Sequence, residues 1–108
     1  MDRILRTDVL TIRSARQGDQ HVVALEGELD LAGYATASDE LKRVEATDAK
    51  EIVIDLGGLT FIDSTGMRLL LEANARSRSD SGRLRMVRGS GQVESVLART
   101  GIDQRLPF

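Results

Sequence analysis

A chain of 108 residues is the length of one compact domain and leaves no room for a second core of ordinary size. Its composition, 41% hydrophobic and 30% charged, excludes disorder and a membrane class, and points to a single soluble domain over residues 1–108. A net charge of −2 and a sparse aromatic set (Tyr34, Phe61, Phe108) argue against direct nucleic-acid binding, which calls for a basic stripe and stacking platforms.

The first eight residues mix acidic and apolar side chains without a long apolar run, so neither a signal peptide nor a spanning helix is expected. The absence of cysteine removes disulfides, thiolate metal sites and thiol nucleophiles together, and a cytoplasmic location is the expectation. Residues 10–13 and 21–26 are short apolar runs separated by a polar segment, residues 14–20, that contains Gly18; this reads as an opening hairpin. After Gly27-Glu28-Leu29-Asp30, the apolar positions Leu31, Tyr34, Leu41 and Val44 fall at helical spacing, with Asp30 a natural N-cap.

Residues 51–56, Glu-Ile-Val-Ile-Asp-Leu, form a nearly continuous β-branched run, the pattern of a strand buried on both faces in a parallel sheet. Gly57-Gly58 is expected to break that strand, with residues 59–62 as a connection and a second helix carrying Met67, Leu70 and Leu71 to about Ser79. Asp80-Ser81-Gly82 reads as a turn, Leu84-Arg85-Met86-Val87 as a strand, and Val93, Val96 and Leu97 as a short third helix. Gly101 and Ile102 fit a Schellman C-cap closing that helix. An α/β domain follows, with a mixed sheet of four to five strands, an N-terminal hairpin, and helices packed on the sheet.

The stretch Leu59-Thr60-Phe61-Ile62-Asp63-Ser64-Thr65-Gly66-Met67 carries the most chemistry. It places two hydroxyls and a carboxylate where a loop enters a helix, facing free backbone N–H groups and the positive end of the helix dipole. Either Asp63 or Ser64 suits the N-cap by type. Gly66 in the first turn lowers helix propensity by about 1 kcal/mol relative to Ala, so a close backbone approach is expected there. A hydrolase nucleophile elbow fails, because Ile62 stands where glycine is needed two residues before the serine. The lone His21, expected at a surface or core edge, has no reason to act as a base. Asp55 lacks the acidic partners of a phospho-accepting aspartate, and the arginines at 83, 85 and 88 read as a solvated strand edge. No catalytic residue, cofactor or metal is expected.

Three stretches, in order and spacing, resemble the STAS family, specifically its bacterial anti-sigma factor antagonists. Gly27-Glu28-Leu29-Asp30 resembles the family's turn into the first helix. Ile62-Asp63-Ser64-Thr65-Gly66 resembles its Asp-Ser-Ser/Thr-Gly switch motif, and Arg99-Thr100-Gly101-Ile102 with Leu106-Pro107-Phe108 resembles its closing segment. The resemblance implies an antagonist that binds an anti-sigma factor serine kinase of the histidine-kinase-like ATPase fold, so that sigma factor is released. Phosphorylation of Ser64, with Thr65 as fallback acceptor, would switch binding off, and a serine phosphatase would reset it. Partner contacts are expected at Glu28, Asp30, Asp63, Ser64, Thr65, Gly66 and Met67, with the phosphate repelling an acidic partner surface. The alternative within the same family is an accessory subunit of a membrane lipid-transport ABC complex. Two departures, the end of the chain at Phe108 where many relatives continue into a further helix and the absence of proline before the third helix, raise the question of how the C-terminal edge is covered.

Overall fold

The computed structural model describes residues 2–108. A five-stranded sheet in the order β1 (Arg3–Arg6), β2 (Leu10–Gln17), β3 (Gln20–Leu29), β4 (Glu51–Ile62) and β5 (Leu84–Val87) is joined by three helices, α1 (Tyr34–Glu45), α2 (Ser64–Ser79) and α3 (Gly91–Arg99). Strands β1 to β3 are antiparallel; β3, β4 and β5 are parallel, each crossing through one helix. The mixed sheet, the hairpin and the helical crossovers match the expected α/β class.

The core gathers alternate strand residues against the apolar stripes of the helices. Leu10, Ile12, Val23, Leu25, Ile52, Ile54 and Leu56 from the sheet meet Leu41 and Val44 of α1, Leu69, Leu70 and Ala73 of α2, and Val93 and Leu97 of α3. The opposite parity is covered only in part. Val53 is buried, but Arg13, Ala24, Asp55 and Val87, which pair across the sheet in one row, are half-buried or exposed. The expectation of β4 buried on both faces therefore holds for Val53 and fails at Asp55.

Four further expectations are corrected. Edge strand β1 was not anticipated, and the hairpin is tighter than its polar middle implies: residues 14–17 are strand, leaving a turn at Gly18-Asp19. Gly57-Gly58 does not end β4, which runs on to Ile62. A Cβ at Gly58 would lie 2.7 Å from Glu26 Cγ and 3.3 Å from Leu25 O, where the β3–β4 register slips, so glycine here admits a bulge rather than a break. Leu31 is 72% exposed, because it opens a 3-10 turn (Leu31–Gly33) whose tighter winding takes it off the α1 stripe. Arg83 is no solvated edge: its guanidinium donates to the carbonyls of Thr47 (2.9 Å), Ala49 and Glu45, gathering the orphan carbonyls after α1.

The C-terminal segment covers the outer edge of β5. Met86 N–H donates to Pro107 O at 2.9 Å, and the Arg88 guanidinium stacks 4.4 Å over the Phe108 ring. Gly101 adopts the expected left-handed conformation (φ 74°), and its N–H donates to Ala98 O at 3.1 Å.

His21 is 3% exposed and sits under α1 rather than at a core edge. Its Nε2 lies 2.8 Å from Ser14 Oγ, while Nδ1 is buried without a partner. Glu40, also 3% exposed, receives the Arg43 guanidinium at 2.6 and 2.9 Å and Arg3 at 3.4 Å. Burial raises the Glu40 pKa, but bonds from Arg43 and Ser14, with Arg3 nearby, outweigh it and hold the carboxyl below its ordinary value. Burial and the neighbouring Arg43 charge lower the His21 pKa, despite the opposing pull of Glu40. The unfolded chain thus takes up this proton before the folded one does, and stability falls as pH drops below about 6.5. Urea midpoints measured between about pH 7.5 and pH 5 should decline for the wild type and flatten in His21→Asn; parallel profiles for the two would refute the assignment.

Candidate functional site

Strands β3 and β4 run parallel and end together, Glu28 pairing with Phe61 and Leu29 with Ile62. One residue beyond each strand stands an aspartate in extended backbone. Asp30 Oδ1 accepts from Ala32 N at 3.1 Å and caps the 3-10 turn before α1. Asp63 Oδ1 accepts from Gly66 N at 2.9 Å and caps α2, and Asp63 N–H donates back to Leu29 O at 3.3 Å. Between the two candidate caps of α2, the carboxylate does the capping. Ser64 is the first helical residue, exposed, and its hydroxyl takes no part in the cap. The first α2 bond runs from Met67 N to Asp63 O at 2.9 Å, so the N–H groups of Ser64 and Thr65 have no acceptor within the helix.

Gly66 is buried, and its role is the close approach expected of it. A Cβ there would stand 2.6 Å from Leu29 O and 2.7 Å from Ile62 Cγ1. The first turn of α2 thereby lies directly on the ends of β3 and β4. Met67, half-buried against the core, places its sulfur 3.9 Å from Thr100 Oγ1 at the end of α3. The fold gathers all seven sequence-derived residues, Glu28, Asp30, Asp63, Ser64, Thr65, Gly66 and Met67, at this one end of the sheet.

The site is acidic and un-neutralised: none of the ion pairs among the described residues involves Glu28, Asp30 or Asp63. Among the described residues no cluster of three or more His, Cys, Asp or Glu side chains is arranged to hold a metal. His21 pairs with Ile52, ten positions along β4 from Ile62, which puts it about 30 Å from Ser64 and out of reach as a base.

Three residues at this end were not anticipated. Leu31 and Phe61 (37% exposed) are large apolar side chains open to solvent beside Asp30 and two residues before Asp63. Strand alternation carries a usable signal for Phe61, since a buried Ile62 turns its neighbour outward. Gln92, from the first turn of α3, reaches across to the backbone of Ile62; no local pattern marks it.

A family model described as "Mlab, STAS domain" matches residues 12–107. The chain belongs to the STAS family. A STAS-domain containing protein from Pseudomonas aeruginosa (strain UCBPP-PA14) is 22% identical over 95 residues, covering 88% of this chain and 93% of that protein. Among solved structures, this STAS domain resembles an anti-sigma factor antagonist from Mycobacterium paratuberculosis, with a TM-score of 0.80 at 22% identity over 94% of this chain and 86% of that one. It also resembles the antagonist SpoIIAA in its unphosphorylated form, with a TM-score of 0.72 at 21% identity over 87% and 84% of the two chains. At these identities the likeness establishes the fold. Among the described residues no helix is long and apolar enough to cross a membrane.

Proposed function

We propose that this STAS domain is an anti-sigma factor antagonist, a binding protein rather than an enzyme, whose affinity for its partner is set by phosphorylation of Ser64. The observation that carries this reading is the division of labour at the start of α2. Asp63 supplies the cap, so Ser64 is left with an exposed hydroxyl that folding does not use, inside a motif that resembles the family's switch. The structural relatives named as antagonists support the role, as does the description of SpoIIAA by its phosphorylation state.

The unmodified domain presents Leu31 and Phe61 as apolar anchors beside Ser64 to an anti-sigma factor kinase of the histidine-kinase-like ATPase fold. A phosphate on Ser64 adds about −1.5 to −2 charges next to Asp63 and Asp30. The free N–H groups of Ser64 and Thr65 and the helix dipole accommodate that charge within the fold, so its effect falls on the interface, where bulk and repulsion block close packing. ATP, magnesium and the base belong to the kinase, and a serine phosphatase restores binding.

Incubation with purified histidine-kinase-like serine kinases and ATP, followed by peptide mass spectrometry, should place one phosphate on Ser64. No phosphate on Ser64 or Thr65 removes the switch reading. Recovery of a transporter ATPase instead of a kinase on the immobilised domain would assign the accessory-subunit role.

A further inference from the structure

We infer that Gln92 is a positioning residue for the Ser64 switch, its side-chain amide standing in for a missing strand and holding the end of β4 in the geometry that presents Asp63 and Ser64. The argument begins with an unpaired edge. Strand β5 pairs with β4 only from Ile52 to Asp55, so the last residues of β4 have no strand beside them on that side. Backbone polar groups alternate sides along a strand, and Asp63 N–H turns towards β3 to reach Leu29 O; the N–H and C=O of Ile62 therefore point to the vacant side. Both are met there by one side chain. Ile62 N–H donates to Gln92 Oε1 at 3.1 Å, and Gln92 Nε2 donates to Ile62 O at 3.3 Å.

A primary amide is suited to this task because it offers one acceptor and one donor in the plane and order of a peptide group. Aspartate or glutamate could receive the N–H but would repel the carbonyl, and an aliphatic side chain would leave both groups without a protein partner. Ile62 is itself buried and is followed directly by the capping Asp63 and by Ser64. The clamp therefore acts two residues upstream of the proposed phosphoacceptor without touching it. At its other end α3 meets the same turn through Thr100 and Met67, so the helix brackets the start of α2.

The functional half of this inference rests on the phosphorylation reading; the structural half does not, and the test separates them. Amide hydrogen exchange on the full chain should show Ile62 exchanging roughly tenfold faster or more in Gln92→Leu, while Val53 and Ile54 in the middle of β4 keep their wild-type rates. Gln92→Glu, which keeps the acceptor and loses the donor, should fall between them at neutral pH and move towards wild type as the carboxyl is protonated. Unchanged exchange at Ile62, or uniform acceleration across β4, would overturn the clamp. With the kinase that phosphorylates the wild type, Gln92→Leu should lower kcat/KM for Ser64 by a similar factor while the thermal midpoint stays within about 3 °C of wild type. An unchanged kcat/KM would overturn the positioning role. A wild-type chain that takes no phosphate would count against the proposed function, leaving the exchange result to decide the clamp.

Discussion

Ser64→Glu is expected to weaken binding of the partner kinase by roughly 30- to 150-fold, while Ser64→Ala stays within about twofold of wild type. The asymmetry follows from what Ser64 does in the fold. Its hydroxyl is exposed and is not the cap, so removing it costs no buried bond and no helix start. Glutamate at the first helical position adds a carboxylate beside Asp63, where a docked partner has to exclude water. Inside the domain the same charge sits at the positive end of α2 and is favourable by about 0.3–1 kcal/mol. Binding and stability should therefore move in opposite directions. Calorimetric titration with the kinase, together with thermal unfolding of both variants, tests this. Equal affinities would remove the interface mechanism, and a clearly lower midpoint for Ser64→Glu would place the effect in the fold instead.

Gly27→Ala is expected to destabilise the domain by about 3 kcal/mol or more, the largest effect of any single methyl group added here. Gly27 has φ +96°, a conformation that costs an L-residue about 1–3 kcal/mol. The new Cβ would also stand 2.2 Å from Val9 O. That oxygen accepts Glu28 N–H at 2.8 Å, so it cannot withdraw without breaking the bond that holds the start of β2 against the end of β3. Gly18→Ala provides the control. Its φ of +62° brings comparable backbone strain, but nothing lies within 4 Å of the added carbon. Urea unfolding of the two variants should differ by about 1–3 kcal/mol, the part owed to the collision. Equal losses would mean that the approach of Val9 to Gly27 relaxes freely.

The parts of the fold that were legible in the sequence are those governed by short-range pattern. The β-branched run of β4, the helical spacing of α2 and the left-handed Gly101 each follow from residues within a few positions of one another. Three of the misreadings share another cause, since each depends on a contact far along the chain. Gly57-Gly58 looks like a breaker until Glu26 and the shifted β3 register are placed beside it. Arg83 looks solvated until the carbonyls after α1, nearly forty residues earlier, come to meet it. His21 looks like a surface or core-edge residue until α1 delivers Glu40 and Arg43 above it. At the candidate site the motif from Ile62 to Gly66 marked the place, and local chemistry could not choose between Asp63 and Ser64 as the cap. In the fold Asp63 takes the cap, and the Ser64 hydroxyl is left spare. Gln92 was invisible because its task is defined by a strand that stops short.

The C-terminal strap has a consequence for how copies of this domain meet in a crowded cell. Any open sheet has two margins, each a row of unpaired backbone groups able to recruit a second sheet. Here one margin is occupied by Pro107, which accepts from Met86 and as a proline brings no N–H of its own, with Phe108 secured under Arg88. The other is β1, four residues long, with arginines at both ends. One margin is plugged and the other is short and positively charged, which discourages edge-to-edge aggregation without restricting the far end of the sheet, where β3 and β4 stop.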